Sequence, residues 1–332
     1  MIRFALLGCG RIGRMHADNL AAHPEAELVW AYDIQRPAAA AVAERHGCRV
    51  AGTADEALAD GGVDAVLIAS STDTHVELIT AAAKAGKAIL CEKPIDLDLG
   101  KVDACWAEIG GLSVPIQIGF NRRFDPSFNA VAQAIRAGEI GDLRQVIITS
   151  RDPEIPPVAY MKVAGGLLRD MTIHDFDLAR FLLGEEPVEV AAFANALIAQ
   201  EVRDLGEHDT AMILLRTANG RQCSITNYRK ATYGYDQRIE AVGELGMVKA
   251  ENRRATTVER WDGQRTEAKD PILHFFIERY REAYVLELDD FIDALKTGRP
   301  CDPGFEAGRR ALLLANAAYE SMATGRIVRV AA

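Results

Sequence analysis

Several features that would fix a protein's class at once are missing from this sequence. It has no long run of lysine and arginine: Arg253-Arg254 and Arg309-Arg310 are isolated pairs, and the formal net charge is -10. Such a balance promotes solubility and offers no basic stripe of the kind a nucleic-acid binder presents. None of the six cysteines stands in a C-x-x-C pair or at zinc-finger spacing, so they suggest neither a disulfide framework nor a zinc site. Several lie in apolar, strand-like runs as small buried hydrophobes, which suits a reducing cytoplasm. No uncharged apolar stretch reaches about 18 residues, so no membrane span is expected. The opening MIRFALLGCGRIG begins a strand directly, without the layout of a signal peptide. Internal repeats and low-complexity segments are also missing.

The 332 residues, 49% hydrophobic and 26% charged, have the profile of a soluble protein of about two domains. In the first third, short apolar runs (RFALLG, ELVWAYD, AVLIAS, AILCEKP, PIQIGF) alternate with Ala-rich helical stretches at 11–22, 37–46, 54–60, 74–86 and 98–109. This alternation predicts an α/β fold with a doubly wound parallel sheet. Beyond about residue 120 the texture changes. VEVAAFANALI, DTAMILLRT, RQCSITNYRK, YDQRIEAVG, GMVKAEN and TTVERWD are separated by turn signals such as ANG at 218–220. They predict one large, open, mostly antiparallel sheet with helices on one face. Helices near 275–296 and 304–324 close the chain. The expected domains are therefore 1–120 and 121–332.

Gly8-Cys9-Gly10-Arg11-Ile12-Gly13 is a G-x-G-x-x-G that follows a predicted strand and opens a predicted helix. In this context Gly8 permits a tight turn, Gly10 lets a pyrophosphate approach, and Gly13 allows close helix–strand packing. The helix N-terminus offers N–H groups to phosphate. Asp33 ends the second strand, where a carboxylate accepts from ribose hydroxyls and repels a 2′-phosphate. NAD is thus expected over NADP, although Arg36 lies close by and can soften the preference. ASSTDTH at 69–75 places Ser70, Ser71 and Thr72 at the ligand edge of the sheet, where Thr72 or Thr74 can equally cap a helix.

LCEKP ends the strand-like run AILCEKP. Lys93 leaves a buried strand at the same edge and can hold a developing alkoxide; the alternative is a surface lysine paired with Glu92 or Asp96. GGLLRDMTIHDFDLARFLLG at 165–184 reads as one helix with a broad apolar surface. Asp170 and His174 are four residues apart and share a face of it, just after a Gly165-Gly166 pair that permits close approach. Two plainer readings stand beside a catalytic one. His174 can be a core histidine satisfied by Asp170 or Asp177, or it can join Asp170 as a metal ligand, for which no second histidine lies nearby.

Together the glycine loop, Glu92-Lys93-Pro94, GFNRRFDP at 119–126 and GGLLRDMTIHDFD at 165–177 resemble the Gfo/Idh/MocA oxidoreductases. SRDPEIPPVAYMKVAGG, YRKATYGYDQRIEAVGELGMVKAEN and FFIERYREAYVLELDDFI look like the inositol-dehydrogenase subgroup. Asn121 departs from the apolar residue that some relatives carry. The resemblance covers nearly the whole chain. It implies a Rossmann domain, an α/β domain with a large open sheet, NAD, a polyol or sugar substrate, no metal, and a homotetramer or dimer. It places the catalytic lysine on Lys93, with a cis bond to Pro94, and the family's Asp and His on Asp170 and His174.

On this reading the cofactor set is Gly8, Gly10, Arg11, Ile12, Gly13, Asp33, Ser70, Ser71, Thr72, His75, Glu92 and Lys93. A polyol needs many hydrogen bonds, for which Arg122, Asp152, Tyr160, Thr172, Tyr233 and Tyr235 are the candidates. Tyr233 and Tyr235 alternate along a predicted strand and are expected to face one side. Oxidising a secondary alcohol releases a hydride and a proton, and an imidazole with an ordinary pKa of about 6.5 suits the proton. His174 is the expected base, assisted by Lys93 and Asp170 in a cleft between the domains; Lys93 as the base is the alternative. From a different class, the chain can be a sensor that binds NAD and a sugar without turnover.

Overall fold

Short apolar runs without in–out alternation build the first sheet, because both of its faces are covered. Its strands are β1 (Ile2–Leu7), β2 (Ala26–Tyr32), β3 (Arg49–Val50), β4 (Ala65–Ile68), β5 (Ala88–Glu92) and β6 (Ile116–Gly119). All pairs are parallel and the order is β3-β2-β1-β4-β5-β6, so the strand order reverses between β1 and β4. In such sheets ligands bind beyond the C-terminal ends of the strands at that reversal. The computed structural model describes residues 1–330.

The second sheet follows a period of two. Its strands are β7 (Leu143–Arg151), β8 (Pro187–Asn195), β9 (Thr210–Thr217), β10 (Gln222–Tyr228), β11 (Asp236–Gly243) and β12 (Met247–Ala250). β13 (Glu259–Arg260), β14 (Ala268–Lys269) and β15 (Val328–Arg329) complete the strands. The order is β12-β11-β7-β10-β9-β8-β15, antiparallel throughout except for the β7–β10 pair. Along β9, Ala211, Ile213 and Leu215 are buried while Met212 and Leu214 are exposed. The inner face packs against the helix Thr172–Leu183. The expected α/β fold, a doubly wound parallel sheet followed by a large, mostly antiparallel one, is the one observed.

Two expectations are corrected. TTVERWD is not part of the large sheet: Glu259–Arg260 pairs only with Ala268–Lys269 in a two-stranded ribbon. That run carries exposed charges and has no apolar face to bury. The chain also does not divide at one point. One compact unit is Met1–Asn121 with Tyr284–Leu312, and the other is Arg122–Ala283 with the residues from Leu313 on. The helix Arg281–Thr297 sends Leu288, Phe291 and Ile292 into the core of Phe4, Leu6, Ala17 and Leu20. Burying such side chains stabilises by about 1.5–3 kcal/mol each, enough to bring a distant segment back.

That helix also buries a carboxyl. Glu287 is fully inaccessible, and neither of its oxygens has a hydrogen-bond partner among the described residues. Burial, with Glu92 and Asp290 nearby, holds it well above the usual carboxylate range. The folded chain therefore keeps a proton that the unfolded chain releases, and stability declines as pH rises above the ordinary glutamate range toward the folded value. Glu287→Gln removes the titrating group at constant size. Its melting temperature should exceed that of the parent at about pH 8, with the gap closing toward about pH 4. A gap that does not vary with pH in calorimetry refutes a neutral Glu287.

Candidate active site

At the reversal between β1 and β4 two loops meet through backbone. Gly8 has φ +103°, and a Cβ there would lie 2.4 Å from the Ser70 nitrogen. A Cβ on Gly13 would lie 1.9 Å from the Gly8 carbonyl oxygen. Both glycines are thus required by the protein's own contacts. Gly10 is different: nothing lies within 4 Å of the position its Cβ would take. It is the N-cap of the helix Arg11–Ala22, with no side chain to cap the first turn. An open glycine before an uncapped helix N-terminus fits a dinucleotide pyrophosphate.

Asp33 is held against this loop. Its Oδ2 accepts from Cys9 N at 2.7 Å and its Oδ1 from Gln35 N at 2.7 Å. Each carboxylate oxygen keeps a second lone pair, so the residue still fits a ribose diol. Ser70 and Thr74 share a hydroxyl bond of 2.7 Å, and Thr74 donates to the Ser71 carbonyl at 2.8 Å. His75 is a correction. The expected cofactor ligand is 1% exposed, with Nδ1 2.8 Å from Pro94 O and Nε2 3.2 Å from Ser70 O. It lies beneath the loops, because the apolar spacing of its helix turns it inward.

Lys93 is half-buried at the end of β5, and its bond to Pro94 is cis, as the resemblance implies. Glu92 accepts from His16 Nε2 at 2.9 Å, and His16 itself is buried edge-on to Tyr284. Gly119 leaves room for Glu92: a Cβ there would lie 3.1 Å from Glu92 Oε2.

In the second unit the run expected as one helix is two: Gly166–Asp170 and Thr172–Leu183, parted at Met171. The His174 N–H donates to the Met171 carbonyl at 3.3 Å, a tighter closure than the four-residue step a continuous helix would make. From Met171 to Ala179 His174 alone is not buried, which separates it from a core residue. The glycines before this segment serve a different neighbour than expected. A Cβ on Gly166 would meet Glu207 and the Tyr319 hydroxyl at 2.4 Å, and Tyr319 donates to Gly165 O at 3.2 Å.

Asp170 is clamped. Tyr160 donates its hydroxyl to Oδ1 at 2.7 Å, and Arg229 Nη2 donates to Oδ2 at 2.5 Å. Arg229 also approaches Asp152, at 3.9 Å. Asp152 follows β7 and Arg229 follows β10, and these strands pair in parallel with Arg151 opposite Tyr228. Loss of water pushes Asp152 up to about 6, with Arg229 opposing and Asp170 adding to the rise. Arg229 was not among the residues singled out from the sequence. Two charged residues closing two adjacent parallel strands are the signal that would have found it.

Other expected substrate residues are placed elsewhere. Arg122 is buried, paired with Asp175 and bonded to Ser150 at 3.2 Å. Thr172 is fully buried and donates to Asn227 at 2.7 Å, whose amide donates to Asp175 at 2.8 Å. These groups satisfy one another beneath the helix, as buried polar atoms must. Tyr233 and Tyr235 do not alternate along a strand, because β11 begins at Asp236 and Gly234 has φ +128°. Tyr233 is exposed and donates to Asp236, whereas Tyr235 is buried edge-on to Tyr280. Among the described residues no group of three or more His, Cys, Asp or Glu is placed to hold a metal ion, and no helix is long and apolar enough to cross a membrane.

Residues 2–120 match the family model described as an oxidoreductase family with an NAD-binding Rossmann fold, and 128–249 match the GFO/IDH/MocA C-terminal domain. The chain is 49% identical over 330 residues to an inositol 2-dehydrogenase of Rhizobium meliloti, covering 99% of each. It is 45% identical to a crystallised myo-inositol dehydrogenase of Corynebacterium glutamicum, with a TM-score of 0.96 over 100% of this chain and 99% of that one. A Lactobacillus casei myo-inositol dehydrogenase solved with NAD(H) and myo-inositol superposes with a TM-score of 0.90 at 26% identity, covering 100% and 97%.

The glycine contacts separate two roles by experiment. Gly10→Ala should leave the melting temperature unchanged and weaken NADH binding at least tenfold, because its Cβ enters only the space a phosphate needs. Gly13→Ala should instead destabilise the protein. Equal melting losses in both variants would contradict the open reading of Gly10.

Proposed function

The chain belongs to the Gfo/Idh/MocA oxidoreductases, and we propose that it oxidises a ring hydroxyl of a cyclic polyol, myo-inositol to its 2-ketone, with NAD. The observation that carries this reading is a partly exposed His174 in a buried helix, beside an Asp170 clamped by Tyr160 and Arg229. Bound NAD supplies the hydride acceptor. His174 takes the hydroxyl proton on its imidazole. Lys93 donates to the same oxygen and favours its alkoxide character. Asp170, with both oxygens already accepting, orients the substrate. Asp152 and Tyr160 supply further hydroxyl contacts. Asp33 selects NAD over NADP by repelling a 2′-phosphate. The six free cysteines fit a reducing cytoplasm.

Oxidation should rise with pH and then level off, because the imidazole accepts a proton only when neutral. His174→Ala should lower kcat by about 10²–10⁴-fold and leave NAD affinity nearly intact. Asp152, ionising at about 6, adds a second limb that Asp152→Asn removes. If the limb persists in both variants and vanishes in Lys93→Met, Lys93 is the base. Near-normal turnover of His174→Ala on myo-inositol would end its assignment.

We also propose that the chain assembles through the outer face of its second sheet, as a dimer or tetramer. Phe193, Met212 and Thr226 form one cross-strand row, and Ala191, Leu214, Ser224 and Ile147 the next. Phe193, Met212, Leu214 and Ile147 are exposed there. A contiguous apolar patch of this kind marks an interface. Light scattering at micromolar concentration should show an oligomer, and Leu214→Asp should dissociate it. A monomeric parent protein would contradict the proposal.

A further inference from the structure

His75 contacts two loops of the first unit at once, and neither contact is with solvent. Its ring is 1% exposed, with Nδ1 2.8 Å from the Pro94 carbonyl and Nε2 3.2 Å from the Ser70 carbonyl. Both neighbours are acceptors, and a neutral imidazole has one N–H to give. Burial holds this ring below the usual histidine range, against the pull of the two carbonyls and of Glu92 and Asp96. The shorter contact assigns the single proton to Nδ1.

Pro94 directly follows Lys93, and its carbonyl is therefore the nearest backbone anchor on the lysine's C-terminal side. We propose that His75 is a positioning residue: its Nδ1–H, donating to the Pro94 carbonyl, holds Lys93 at the end of β5 in the place where it meets the substrate hydroxyl. The proposal rests on Lys93 being the catalytic lysine. It gives His75 no contact with cofactor or substrate.

The two nitrogens can be told apart by substitution. An asparagine amide N–H reaches about where Nδ1 stands, and a glutamine amide N–H about where Nε2 stands. His75→Asn keeps the tie to Pro94, and its kcat for myo-inositol oxidation should stay within about threefold of the parent. His75→Gln and His75→Ala lose that tie, and their kcat should fall about 10²-fold, the usual cost of a small misplacement of a reacting group. NADH affinity, read by fluorescence titration, should be nearly equal in all folded variants. A merely structural histidine would lower melting temperature and activity together, without rescue by asparagine. Rescue by glutamine rather than asparagine would overturn the assignment, because the tie would then run to Ser70. Full activity of His75→Ala would overturn it too. Lys93→Met, assayed in parallel, keeps the two readings distinct. If it is inactive while His75→Ala is normal, only the His75 proposal falls; if it is active, the reading of Lys93 falls and takes the proposal with it.

Discussion

The first unit depends on one close approach of backbone. With no Cβ on Gly13, the helix Arg11–Ala22 can lie against the Gly8 carbonyl, where an alanine would place an atom 1.9 Å away. That seating sets more than the phosphate loop. His16, less than one turn further along the same helix, is thereby brought to Glu92 at 2.9 Å. Glu92 precedes Lys93, and Pro94 on the other side is tied to His75. Gly8 packs on Ala69 and Ser70, the loop from which His75 departs. The dinucleotide loop and the lysine loop are therefore one connected assembly. Its links are a missing Cβ, a buried imidazole–carboxylate bond and a buried imidazole–carbonyl contact.

How much of this was legible depended on whether the signal was local. The turn from strand to helix at the glycine loop, five of the six parallel strands and the place of Lys93 at a strand end follow from short-range pattern, whereas the two-residue strand Arg49–Val50 is too short to show one. His75 was misread because its proximity to the loop in sequence suggested a ligand, while its inward face is shared with Ile79 and Ala82 at the helix period. The return of Tyr284–Leu312 to the first unit could not be read from periodicity. An apolar stripe says that a helix is buried, not which core buries it. Glu287 sits within that stripe, where the pattern alone would place a leucine.

The second unit shows the same division. Alternation along β9 and β10 gave the sheet and its inner face. The helix break at Met171 was invisible, because GLLRDMTIHDF has no proline and its glycines precede it. The partners of Asp170 came from two distances in sequence. Tyr160 is ten residues away and was named, for a different role. Arg229 is 59 residues away and was missed. The parallel pairing of β7 and β10 sets it beside Asp152, and the end of the helix Gly166–Asp170 brings Asp170 to it, placements that no local pattern shows. Arg122 and Thr172 were over-read for the complementary reason. Polar residues near a site look like ligands until a buried network of Asp175, Asn227 and Ser150 is seen to occupy them.

The charges around Arg229 bear on which group takes a proton. Two carboxylates face one guanidinium, and the geometry treats them unequally. Asp170 has its two oxygens committed, one to the Tyr160 hydroxyl and one to Arg229 at 2.5 Å, so protonating it would break a charge-assisted bond. Asp152 is left 3.9 Å from the same cation, and burial raises it to about 6. A site with paired acids in contrasting environments commonly separates an acid from a fixed charge. Here Arg229 holds the fixed charge on Asp170, and Asp152 gains a proton as pH falls through about 6, which offers a polyol a hydrogen-bond donor in place of an acceptor. Asp170 is then poorly suited to accept a proton from an alcohol, because both its oxygens are bound, and protonating Asp152, though it is nearly as basic as a free imidazole, removes a charge that faces Arg229. We propose that the imidazole of His174, on the turn just after Asp170, takes the proton instead, because protonating it removes no carboxylate charge that faces Arg229.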